Sequence, residues 1–152
     1  MIRIITKASL YIFLAFILIF GNINSVSAQQ NATEIKTTPI KIVESPNTFI
    51  NKTVIFKAKF DKFSAVGLDY APTKKDSENY IGFTVQRDDI TDHNIPLSEI
   101  KLFLKRDYAE KFAELDTGDT IEVKGKVFSL ALGDPWIDVE NITIIKKVEK
   151  TE

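Results

Sequence analysis

Gly118-Asp119-Thr120-Ile121-Glu122-Val123-Lys124-Gly125-Lys126-Val127 decides how the rest of the chain is read. Ile121, Val123 and Val127 fall on one side of a period of two, and Glu122, Lys124 and Lys126 fall on the other. That alternation predicts a strand with one buried face. Gly125 occupies a slot on the apolar side, where a missing side chain permits a sharp bend or a bulge. Gly118 stands where a glycine ends a preceding helix.

The flanking segments follow the same logic. Upstream, Asp107 lies three residues before Glu110, the spacing of an Asp cap with an acidic third residue. Tyr108, Phe112 and Leu115 form one apolar stripe, so a short helix is predicted over 107–115. Downstream, Gly133-Asp134-Pro135 is a turn, and a strand follows from Trp136 to Ile145. Its apolar phase runs Ile137, Val139, then Ile142, Ile144; the slip near Asn141 predicts a bulge. Earlier in the chain, Val54, Phe56, Ala58 and Phe60 make one inward row, Ile81, Phe83 and Val85 a second, and Ile100, Leu102 and Leu104 a third. Phe56, Phe83, Leu102, Val123 and Ile137 are therefore predicted to be core. Residues 64–79 and 88–96, rich in turn formers and charge, connect the rows.

Strand, long loop, strand, strand, helix, strand, strand is the chain order of the five-stranded OB-fold barrel. The 118–127 phrase resembles the Gly-Asp lead into strand four of such domains. Pro46-Asn47-Thr48-Phe49-Ile50-Asn51-Lys52-Thr53-Val54 resembles the lead-in before strand one, with an aromatic residue closing the barrel end. With the apolar N-terminus, the whole resembles the exported bacterial OB-fold proteins of the BOF type and, more loosely, tRNA-anticodon-binding-like OB domains, over about residues 40–147. The resemblance implies an all-β, five-stranded, OB-fold-like Greek-key barrel with one short helix between strands three and four. The chain departs from the pattern at Ala58, where strand one often carries Gly; this implies gentler curvature there. The 64–79 loop is also long for a small protein of this kind.

Residues 1–28 read as an address. Arg3 and Lys7 precede the apolar run Ala8–Phe20, Gly21 breaks it, and small Ala28 closes it before Gln29. This is the layout of a cleaved secretory signal. The run falls short of the roughly 20 apolar residues that span a bilayer. Export to a periplasm or beyond is expected, with 29–39 a flexible leader, 40–147 the folded domain and 148–152 a tail. The chain has no Cys, so the domain must hold by core packing rather than by disulfides. A monomer is expected. Asn-X-Thr triplets stand at Asn31, Asn51 and Asn141, and matter only in a glycosylating pathway.

The residue inventory narrows the chemistry. His93 is the only imidazole and there is no thiol, so a nucleophile paired with a base has little to draw on. One His cannot build a zinc site. Asp88, Asp89 and Asp92 do not have the spacing of a calcium loop, and the glycines are scattered rather than forming a phosphate cradle. The expected function is therefore non-enzymatic binding, without cofactor or metal, of a protein or small ligand. The alternative is an oligonucleotide or anionic polymer. OB barrels bind on the face of strands two and three, here offering Tyr80, Arg87, Lys101, Phe103 and Lys105. Phe103, on the outward phase between two lysines, is the residue on which a base would stack. Two readings of it stay open: an exposed platform, or a ring packed beneath the 64–79 loop. Against nucleic acid stands the charge: the chain carries 20 basic and 21 acidic residues, not the basic footprint of a nucleic-acid binder.

Overall fold

The computed structural model describes residues 34–91 and 94–149, and the alternating segments become strands. These are β1 (Glu34–Lys36), β2 (Thr53–Ser64), β3 (Tyr80–Val85), β4 (Lys101–Lys105), β5 (Thr120–Ser129) and β6 (Trp136–Lys146). The helical segments are α1 (Pro39–Glu44), α2 (Pro46–Phe49) and α3 (Arg106–Ala109). Strands β2, β3, β4, β6 and β5 neighbour one another in that order, and a further β2–β5 pairing closes the ring. All pairs in the ring are antiparallel except β4 with β6. This is a closed, five-stranded, OB-fold-like barrel with its helix between the third and fourth barrel strands.

Closure depends on β2 serving two neighbours. Its first half, Thr53 to Lys59, pairs with β5, and its second half, Phe60 to Ser64, pairs with β3. The register shifts between Phe60 and Lys62. An extra residue there bends the strand and raises its twist, so the curvature that Gly often supplies at the Ala58 position comes from a bulge slightly further on. The second bend lies at Gly125. A Cβ there would sit 2.7 Å from the Asp138 carbonyl oxygen and 2.8 Å from Ile137 Cγ2, so only Gly lets β6 approach. Pairing jumps from Lys124–Asn141 to Gly125–Val139 at the same point, which is the predicted bulge.

The inward rows meet in one core. Val54, Phe56, Phe83, Val85, Leu102, Leu104, Ile121, Val123, Val127 and Ile137 are all buried in it, with Phe49 from α2 and Ile42 from α1. All five predicted core residues are among the buried set.

Four expectations need correction. Part of the 29–39 leader is ordered: Glu34–Lys36 lies parallel to Thr53–Ile55 of β2, filling the side of β2 that β3 leaves unpaired. Thr38 then caps α1, its Oγ1 accepting from the Lys41 N–H, with Pro39 in the first turn; Thr-Pro is a start signal for a helix. The predicted 107–115 helix is only α3, followed by a 3-10 turn over Glu110–Phe112. Asp107 does not cap it, because its carboxylate takes the adjacent Tyr108 N–H. The bonds Ala113 N–H to Glu110 O and Leu115 N–H to Phe112 O tighten the rest into i→i+3 turns. Finally, Ile144 is exposed, although it keeps the phase of Ile142 and pairs with the core residue Ile121. The signal segment and His93 lie outside the described residues.

Candidate binding face

The outer side of β3 and β4 carries Tyr80, Thr84, Lys101, Phe103 and Lys105, as the alternation requires. It is not an open face. Phe103 is 0% exposed and Trp136, the neighbouring outward residue of β6, is 1% exposed, yet neither belongs to the barrel core. They form a second, smaller apolar layer outside the barrel. The rings of Phe103 and Trp136 stack at 5.3 Å between centroids, and Tyr70 packs on Trp136 at 5.6 Å. Phe128 meets Phe103 edge-on. Trp136 Nε1 donates to the Ala131 carbonyl at 2.8 Å, so its polar edge is satisfied.

The cover is the segment between β2 and β3. Gly67, at φ +87°, lies flat against both rings: a Cβ there would stand 3.1 Å from Phe103 Cζ and 3.1 Å from Trp136 Cη2. Lys75 follows, 6% exposed. Its ammonium sits 4.0 Å from the Tyr80 ring centroid and 4.9 Å from that of Phe128, and pairs with Asp138 at 2.9 Å. A buried lysine is tolerated because two ring faces and one carboxylate replace its water. Asp69 closes the loop on itself. Its N–H donates to the Lys75 carbonyl and its carboxylate accepts from the Ser77 N–H.

The five predicted site residues therefore do not form one patch. Phe103 is sealed beneath the loop. Lys101 is drawn sideways to Asp134 at 2.8 Å and to the Ser98 carbonyl. Arg87 bonds Asp89 at 3.0 Å and Glu99 at 2.6 Å. Its hydrogen bonds to Asp89 and then to Glu99 raise the Arg87 pKa further, while the bond that Arg87 donates holds the Asp89 carboxyl below its ordinary range. For Glu99, burial is the largest single influence and opposes ionisation, but the bond and charge of Arg87, its own backbone N–H and the Ser98 hydroxyl together outweigh it and the pKa is lowered. Two of the three predicted cations are thus committed to carboxylates of this chain. Only Tyr80 and Lys105 stay together, directly paired across β3 and β4.

These two residues line an open cleft of about 610 Å³. Lys74 and Arg106 add positive charge, and Asp76, Glu78 and Asp107 add negative charge. Arg106 Nε donates to the Ser77 carbonyl at 2.7 Å, and Asn79 bonds Asp76 through both its backbone N–H and its side-chain amide. The Asn79 N–H, foremost, holds the Asp76 carboxyl below its usual pKa. This balanced, polar cleft was not foreseen as a whole, because Lys74, Asp76 and Glu78 come from a loop without periodicity.

No family model matches the chain, and no curated protein matches it. Among solved structures it is similar to a putative aspartyl-tRNA synthetase from Leishmania major Friedlin, at 11% identity and a TM-score of 0.50, over 84% of this chain and 23% of that one. It thus spans less than a quarter of the synthetase chain. It is also similar to the OBody AM1L10 bound to hen egg-white lysozyme, at 18% identity and a TM-score of 0.45, over 66% of this chain and 85% of that one. The barrel's own topology and the first of these likenesses agree on the class: an OB-fold-like β-barrel domain.

Proposed function

We propose that this protein is an exported, non-enzymatic OB-fold module of the BOF type that binds a protein segment or a small polar ligand at the cleft of Tyr80, Lys105 and Arg106. The observation that carries the reading is the sealed strand face. With Phe103 and Trp136 beneath the 65–79 segment, the stacking surface that a single strand of nucleic acid would use is filled by the chain itself. What stays open beside it has, among the described residues, cations and carboxylates in equal number, which suits a zwitterionic or mixed-charge ligand better than a polyanion. Export rests on the Arg3–Ala28 signal pattern.

Retention of a random peptide mixture and of a random single-stranded oligonucleotide by the immobilised chain tests this. Peptides should be enriched, and enrichment should fall in Lys105→Glu. The oligonucleotide should wash through at physiological salt. Oligonucleotide retention that weakens steeply with salt would instead establish the polyanion reading. Retention of neither probe would remove the cleft from consideration.

A further inference from the structure

A second cleft, of about 550 Å³, opens where β2, β3, β5 and β6 run side by side. The register there aligns four residues in a row. The Gln86 N–H donates to the Lys59 carbonyl at 2.8 Å, Lys59 pairs with Thr120, and Thr120 pairs with Lys146. Paired residues project to the same face, and strands lie about 4.8 Å apart. Lys59 and Lys146 therefore stand about 10 Å apart with the Thr120 side chain between them. Neither lysine has an ion-pair partner among the described residues. Lys147, on the same cleft, is already committed to Asp119 and the Glu114 carbonyl, and Glu149 is the one carboxylate among the described residues of the lining.

At the end of the row lies Gln86, 6% exposed. Its Nε2 is the only buried side-chain nitrogen or oxygen among the described residues without a hydrogen-bond partner. Its backbone is fixed by the bridge to Pro96 and the bond to Lys59, so the residue cannot escape to solvent. A buried amide donor lacks one thing, an acceptor oxygen. The unpaired ammonium group of Lys59 beside it, and that of Lys146 on the far side of Thr120, set the sign of the charge that oxygen should carry. The terminal torsion of a Gln is broad, so the amide can turn toward an oxygen on the cleft floor without disturbing the strand.

We propose that this cleft binds the oxyanion of a small ligand, a phosphate or a carboxylate, held by Lys59, Lys146 and the Gln86 amide, with Thr120 between the lysines. The site is independent of the Tyr80–Lys105 cleft and shares no lining residue with it.

Thermal unfolding of the full-length chain, followed by Trp136 emission, tests it with inorganic phosphate, acetate, and sodium chloride at matched ionic strength. A ligand that binds only the folded state raises the melting temperature saturably. Phosphate, acetate or both should do so and chloride should not; the more effective of the two identifies the ligand's anionic group. Lys59→Ala with Lys146→Ala, and separately Gln86→Leu, should weaken the apparent affinity about tenfold or more. Without ligand, Gln86→Leu should melt at or above the parent temperature, because it removes an unsatisfied donor, so lost binding cannot be confused with lost folding. Absence of a saturable rise would overturn the proposal. So would an undiminished rise in both variants, which would mark an adventitious ion only.

Discussion

Asp119 is a fully buried carboxylate, and its surroundings explain why the Gly-Asp phrase precedes β5. It accepts from the N–H groups of Asp116 and Val148 and pairs with Lys147 at 2.9 Å. One side chain thus closes the turn before β5 and pins the chain leaving β6. Burial opposes its ionisation, but the Asp116 and Val148 N–H groups and the Lys147 ammonium prevail, and its pKa is lowered. The unfolded chain therefore takes up this proton more readily. The stabilisation is complete above the unfolded value of about 3.9 and is lost as pH falls through the lower folded value. Asp119→Asn should cost about 1.5–3 kcal/mol at neutral pH and make the acid limb of a stability-versus-pH curve shallower. Urea unfolding at pH 7 and pH 3 reads both. An equal loss at the two pH values would show that the charge contributes nothing.

The 65–79 segment shows what alternation can and cannot tell. The phase of β4 correctly sends Leu102 and Leu104 inward and Phe103 outward. Phase gives the side of a strand; whether that side meets water depends on what else packs there. The cover has no period to read, and its two anchoring residues are locally ordinary: Gly67 looks like any turn glycine and Lys75 like any loop charge. The same limit hid β1, too short to show a pattern, whereas the Thr-Pro start of α1 was present in the sequence and readable. Lys75→Met keeps the apolar stem and removes the ammonium from Tyr80, Phe128 and Asp138. Since Asp138 is half exposed and can rehydrate, the loss should be near the cation–π contribution, about 1–2 kcal/mol. Hydrogen exchange of the Asp69 and Ser77 amides, both tied within the loop, should accelerate. Unchanged exchange at those amides would mean that the ammonium does not hold the loop.

At the scale of the molecule, a barrel closed by the β2–β5 pairing supports a two-layer arrangement: a core inside the ring and an aromatic layer outside it, capped by the chain's own loop. The barrel was legible because five alternating rows specify it, and Gly125 and the slip near Asn141 both mark the same bend between β5 and β6. The binding surface was not, because Lys101 acquires Asp134, and Arg87 its second partner Glu99, only when separate segments meet. The central claim is that the strand face used by OB barrels is sealed here. The chain contains a single tryptophan, Trp136, and it lies in that sealed layer, so acrylamide quenching of its emission measures the seal directly. The folded protein should show blue-shifted emission and weak quenching, rising to full quenching only on unfolding. Emission at the wavelength of solvent-exposed indole, with quenching in native buffer as strong as in the unfolded chain, would show the face open and contradict the account.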